Sequence, residues 1–205
     1  MVTGLVLMAL LAPSGGSPED RFWKWFSANS HRLLAIRSGD EPVAGELAVE
    51  LAKFHPELTW EVGPPAEQRE LVISAGGIVG AFPAVKALVA ARPSLVGWKV
   101  IAFRPRRDPS FSVRLGSYEL KPEDVWFAAE MDGQKVGLTV YVMGYEEGNS
   151  AAQQAVFLLL DNALGEYEVE TRVGFIELQR APTDPRKAGL RPFKDLPSII
   201  RPANE

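Results

Sequence analysis

The densest charge in the chain is Arg104-Pro105-Arg106-Arg107, three guanidinium groups in four residues, directly after an apolar run. Planar guanidinium forks are suited to a phosphate or to the carboxylates of an acidic partner. Their place at the end of a predicted strand makes Arg104, Arg106 and Arg107 the first choice for a polar contact site. A solvated basic loop is the plainer reading of such a run. The second feature is Ala75-Gly76-Gly77-Ile78-Val79-Gly80. It lies between a predicted strand and a predicted helix, where backbone amides can cradle an anion. It lacks the Lys-Ser/Thr of a phosphate loop and the full Gly-x-Gly-x-x-Gly spacing, so a turn that reverses the chain is the main reading and anion binding its rival. The third feature is a set of carboxylates: Glu61, Glu70, Glu130 and Glu177 on or beside predicted strands, Glu146 and Glu147 in a loop. Converging acids can do acid–base work or hold a metal. Chain spacing does not bring these together, and solvated strand faces account for them as well.

Composition removes other chemistries. There is no cysteine, hence no disulfide, thiolate nucleophile or zinc–thiolate site. The two histidines, His31 and His55, sit at predicted helical positions near turns, with no Gly-x-Ser-x-Gly elbow elsewhere to supply a nucleophile. No metal site and no cofactor is expected. The net charge of −4 gives no support for a nucleic-acid partner. Among the tryptophans, Trp60, Trp98 and Trp126 read as core. Trp23 falls beside the stripe of Phe22, Trp25 and Phe26, and an exposed indole there would mark a partner surface. Trp23 therefore joins Arg104, Arg106 and Arg107 as a candidate binding residue.

The elements that position these residues follow from apolar rhythm. Ser17-Pro18-Glu19-Asp20 is a helix start, and Phe22, Trp25, Phe26, Asn29, Leu33 and Ile36 recur at spacings of three and four. A second helix, capped by Asp40, buries Val43, Ala44, Leu47, Ala48 and Leu51. Strands follow at 58–62 and 70–74, then a helix over 82–91 and a strand over 98–103. The last is apolar on both faces and is expected to be central. A short edge strand is expected within 111–120. The pattern then returns: a strand over 126–131, the hairpin signal Asp132-Gly133, a strand over 136–143, a helix from Asn149 or Ser150 to Leu164, and a strand over 167–178 with a bulge near Gly174. Phe193, Leu196, Ile199 and Ile200 suggest a final short helix. The expected fold class is α+β: a mixed or antiparallel sheet covered by helices, in two ββαβ-like halves. The halves could share one sheet edge to edge, or form two small sheets.

The helix over 150–164 is apolar beyond one face, because Phe157, Leu158 and Leu164 lie off the main stripe. Cover from within the chain is the plainer explanation; another subunit is the rival.

The segments L-T-W-E-V, E-L-V-I-S-A-G-G and F-P-A-V-K-A-L-V-A-A-R-P-S-L-V-G-W-K-V-I-A-F-R-P, over 58–105, resemble a family of uncharacterised bacterial proteins. W-F-A-A-E, L-T-V-Y-V and F-L-L-L-D-N-A-L-G-E-Y are similar to the family's C-terminal part. The resemblance covers most of 17–181 and implies bacterial origin but no mechanism, since its positions are of types that packing explains.

Residues 1–16 read as an apolar, flexible tail, 17–181 as one α+β domain with halves at about 17–105 and 123–181, and 182–205 as a Pro-rich tail packing on it. The apolar stretch 2–12 matches the core of a signal peptide and is too short to span a bilayer, but no Lys or Arg precedes it. A cytoplasmic protein is expected, an exported one being the alternative. The function expected is a non-enzymatic binding or protein-interaction module, with a protein partner or a homodimer. The alternative is a hydrolase-like enzyme whose carboxylates converge in a cleft between the halves.

Overall fold

A computed structural model describes residues 16–108 and 110–200. The chain opens on α1 (Pro18–Leu34) and α2 (Pro42–Phe54). At the start of α1 the Ser17 hydroxyl accepts from the Asp20 amide at 3.1 Å and the Asp20 carboxylate accepts from the Ser17 amide at 3.0 Å, a reciprocal cap for two orphan donors. The cap of α2 is Glu41 rather than the expected Asp40, and Glu41 does not cap it with its side chain. Its carboxylate instead accepts from the amides of Arg37, Ser38 and Gly39. These bonds, Arg37's first, hold the Glu41 carboxyl below its ordinary range. Pro42, at the first helical turn, fixes where α2 begins. Ala48 points outward, not into the core.

Strands β1 (Thr59–Val62) and β2 (Arg69–Ser74) are antiparallel; α3 (Phe82–Ala90) follows, and β3 (Trp98–Ala102) returns parallel to β2. The order β1-β2-β3 puts β2 in the centre and β3 at an edge, correcting the expectation that the 98–103 strand is central. Leu71, Ile73 and Trp98 face a core shared with α1, α2 and α3. Val72, on the opposite face, is also buried. Glu61 and Glu70 share that face, and Arg104 and Arg107, in the chain after β3, reach back to pair with them.

A small hairpin, β4 (Val113–Leu115) with β5 (Tyr118–Leu120), occupies the link where one short strand was expected. Then β6 (Val125–Asp132) and β7 (Lys135–Val142) form the expected antiparallel pair around Gly133, whose φ of +62° suits a tight turn. The helix α4 (Ser150–Leu164) is capped by the Asn149 side chain, which accepts from the Ala152 amide at 3.0 Å. The stretch expected to begin a long strand at Tyr167 instead forms α5 (Glu166–Arg172), and the strand proper is β8 (Val173–Arg180), parallel to β7. The register slips between the Val136–Val173 and Leu138–Ile176 pairs, so the bulge near Gly174 is present. The short β9 (Arg191–Pro192) pairs with β6 and leads into a 3₁₀ turn, Phe193–Ser198.

The fold is α+β with mixed and antiparallel sheets, and both halves run strand, antiparallel strand, helix, parallel strand. The sheets are separate, β1-β2-β3, β4-β5 and β8-β7-β6-β9, so the halves do not join edge to edge. Each half has its own apolar core. That of the second gathers Phe127, Leu138, Val140, Leu159 and Phe193. Among the described residues, no helix is long and apolar enough to cross a membrane. The apolar stretch 2–12 lies outside the described residues.

Trp23 is not a surface residue. It is 2% exposed, its indole N–H donates to the Leu88 carbonyl of α3 at 2.8 Å, and its ring meets Phe22 and Phe26 edge-on. The three- and four-residue stripe had left it to one side. Because α1 packs against α3 as well as the sheet, its buried arc is wider than that stripe.

Arg69 is a buried cation that forms no ion pair among the described residues. Its Nη1 donates to the carbonyls of Leu34 at 2.9 Å and Ile36 at 2.8 Å, and its Nε to Gly63 at 2.7 Å. The guanidinium thus satisfies the orphan carbonyls at the negative end of α1. Burial lowers the Arg69 pKa, and Arg37 adds to this. Arg69→Met should destabilise the protein by about 3 kcal/mol, since it leaves buried carbonyls unpaired. Urea unfolding checks this, and an unchanged midpoint would show that water replaces the guanidinium without loss.

Candidate functional site

The halves meet at a polar junction built around Glu166. Gly165 ends α4 and begins α5 at a φ of +92°, a conformation that glycine adopts readily. This sharp junction directs Glu166, fully buried, at the other half. Its Oε1 accepts from the amides of Ala75 at 2.9 Å and Gly77 at 3.2 Å, and its Oε2 from the amide of Arg104 at 3.0 Å. The backbone answers in kind, the Glu166 amide donating to the Arg104 carbonyl at 3.0 Å. The glycine turn after β2 therefore does hold an anion, and the chain itself supplies it. Gly77 holds a φ of +83°, which strains any residue with a side chain, and a Cβ there would also displace the Glu170 carboxylate 3.0 Å away.

Phe103 connects β3 to this junction with a φ of +64°, rare for an aromatic residue and sustained only by its surroundings. Its amide donates to Ile73 at 2.8 Å, and its ring packs on Phe82 and on Tyr167 of α5, centroids 4.6 Å and 5.4 Å away. The next residue, Arg104, bonds Glu61 through Nε and approaches Asp161 of α4 through Nη1 at 3.4 Å. Burial works against the Arg104 charge; Glu61, Glu166 and Asp161 together outweigh it and raise its pKa.

The other two arginines of the cluster are also engaged within the chain. Arg106 donates to the carbonyls of Leu164 at 3.3 Å and Ile200 at 2.5 Å, tying the end of α4 to the tail. Arg107 pairs with Glu70 by its side chain, and its amide donates to the Asn162 carbonyl at 2.6 Å. Glu70, bonded first by Arg107 and then by Lys99, is held below its ordinary range. The Arg104–Arg107 run thus forms a staple between the halves, and of the candidate binding residues only Arg107 keeps much exposure.

Carboxylates do converge here, though mostly not those singled out in the sequence. Glu61 is at the junction. Glu130 and Glu177 lie exposed on the outer side of the four-stranded sheet, opposite Gly137 and Thr139 of β7. The acids that meet are Asp161, Glu166 and Glu170. Burial pushes the Asp161 carboxyl up to about 7; Arg104 pulls against this, and Glu166 and Glu170 add to it. Burial also raises Glu170, with Glu166 adding and Lys135 opposing. Asp161 had one signal in the sequence, as the single charged residue of a broadly apolar helix. Glu166 had none, because its stretch alternates like a strand. Among the described residues no group of His, Asp and Glu is placed to hold a metal.

A separate open feature lies beside the N-terminal part of α4. Between α4 and β8 runs a groove of about 930 Å³ with Phe157, Ile176 and Leu178 as its apolar lining and Glu146, Glu147 and Arg180 among its polar residues. Of the three apolar residues noted on α4, Leu158 and Leu164 are covered by the second core. Phe157 stays 45% exposed.

No family model, curated protein or solved structure matches the chain.

The Asp161 shift has a definite sign. Its folded pKa lies above the unfolded value, so folding opposes its ionisation; the penalty is absent below about pH 4 and complete above about pH 7. Asp161→Asn removes that dependence. Its stability relative to the parent should rise by about 2–4 kcal/mol between roughly pH 4 and pH 8. Urea unfolding at the two pH values measures it, and a constant difference would show that Arg104 keeps Asp161 ionised throughout.

Proposed function

We propose that this chain is a non-enzymatic binding or protein-interaction module whose contact surface is the groove between α4 and β8. The observation that carries the reading is Phe157, a large aromatic left open over Ile176 and Leu178 while Val156 and Leu160 of the same helix are buried. Supporting it, the groups with the most chemical promise are already engaged: the amides of the glycine turn by Glu166, and Arg104, Arg106 and Arg107 by Glu61, the tail carbonyls and Glu70.

A hydrolase-like enzyme is the second reading, favoured by the raised Asp161 beside Glu166 and Glu170. Against it, Glu166 is fully buried and Asp161 is 8% exposed, which leaves a substrate little access. We further read 17–181 as a single domain. We also read the chain as cytoplasmic and, on the quoted motifs, as bacterial.

A thermal-shift screen with divalent metals, nucleotides and sugars should leave the melting point unchanged. Selection from a library of displayed binding proteins should yield binders that Phe157→Glu weakens about tenfold or more. Stabilisation by several degrees with a metal, nucleotide or sugar would overturn the proposal, because only a ligand that prefers the folded state raises the melting point.

A further inference from the structure

β8 is the outer strand of its sheet, hydrogen-bonded to β7 on one side only. It is 8 residues long, and an exposed edge of that length is a ready template for another chain. The bulge disrupts its beginning, but from Ile176 to Arg180 the register with β7 is unbroken. No other described backbone pairs with the outer edge of that stretch. Alternate residues of the same stretch, Ile176 and Leu178, point to the α4 side and pack against the second core while remaining half-buried. Phe157 stands beside them in the groove. An arriving strand would therefore find unpaired amides and carbonyls along the edge and an apolar trough for every second side chain.

Charge distinguishes one end. Glu146 and Glu147 follow β7 and line the groove with Arg180, which ends β8, so two acids stand against one base. Neither glutamate forms an ion pair among the described residues. That end of the groove is complementary to a basic residue.

We propose that the partner is an extended peptide segment of another protein, with apolar residues at alternate positions and a Lys or Arg at the end that lies over Glu146 and Glu147, and that it adds to β8 as a further strand of the sheet. Main-chain hydrogen bonds supply the affinity, the Phe157–Ile176–Leu178 trough selects the alternate side chains, and the acidic end fixes the direction. This rests on the reading of the chain as an interaction module and names the partner of that surface.

The test uses the full chain and two fluorescein-labelled peptides of alternating Val and Thr, one with Lys at its N-terminus and one with Lys at its C-terminus, followed by fluorescence anisotropy. One peptide should bind saturably and more tightly than the other. Phe157→Glu, Glu147→Lys and replacement of the peptide Lys by Glu should each weaken it about tenfold or more. N-methylation of alternate peptide amides, those that would donate to β8, should abolish binding while leaving every side chain in place. A thermal melt confirms that both protein variants are folded. Equal binding of the N-methylated peptide would overturn strand addition, and so would no saturable binding of either peptide. If selected binding proteins still engage the groove in a Phe157-dependent way, that failure leaves the interaction reading standing. A concentration-dependent dimer in ultracentrifugation, lost in Phe157→Glu, would give the groove to a second copy and overturn the peptide partner.

Discussion

The architecture turns on one buried carboxylate. Placing Glu166 out of water is expensive unless its oxygens are hydrogen-bonded. Here the amides of Ala75, Gly77 and Arg104 meet that demand. All three belong to the opposite half, and two of them come from a turn that needs glycine at positive φ. The contact thus fixes the turn between β2 and α3, the exit from β3 and the start of α5 together. The strained Phe103 and the ring cluster of Phe82, Phe103 and Tyr167 are packed around the same point.

From there the constraint passes to the rest of the molecule. Once Arg104 is placed, Arg106 and Arg107 fall over the end of α4, one on the Leu164 carbonyl and one, through its amide, on the Asn162 carbonyl. The two apolar cores are separate, and this polar staple helps set α4 against the first half. The same helix, through Phe157, forms one wall of the groove beside β8. The polar junction and the open groove lie toward different ends of α4, Asp161 and Leu164 near its C-terminus and Gln153 and Phe157 nearer its N-terminus, which separates a bracing role from a contact role. Asp161 is the point at which the brace is imperfect: burial and neighbouring acids act against a single, distant arginine contact.

The features legible in the sequence were those set by local chemistry. The Ser17 cap, the turn at Asp132-Gly133, the Asn149 cap, the bulge near Gly174 and the repeated order of elements each follow from a few adjacent residues. What escaped was set at a distance. Tyr167, Val169 and Thr171 alternate as a strand would, yet Glu166 and Val169 share the buried side of a helix turn tied down by the other half. The strand at 98–102 looks central because Val100, Ile101 and Ala102 are apolar in succession, yet among the described strands it pairs only with β2. Trp23 looked peripheral because the α3 carbonyl that receives its indole is 65 residues away. The junction was half visible: the glycine turn and the arginine run were both noted as anion sites, but nothing nearby indicated that the anions would be this chain's own glutamates.

The most direct test of the account is native-state hydrogen exchange at the amides of Ala75, Gly77 and Arg104 in the parent chain and in Glu166→Ala. If the carboxylate is the brace, the three amides lose most of their protection together in the variant, while the amides of α1 keep theirs. Unchanged protection at Ala75, Gly77 and Arg104 would show that the halves are held by packing alone, and would contradict the central role given to Glu166.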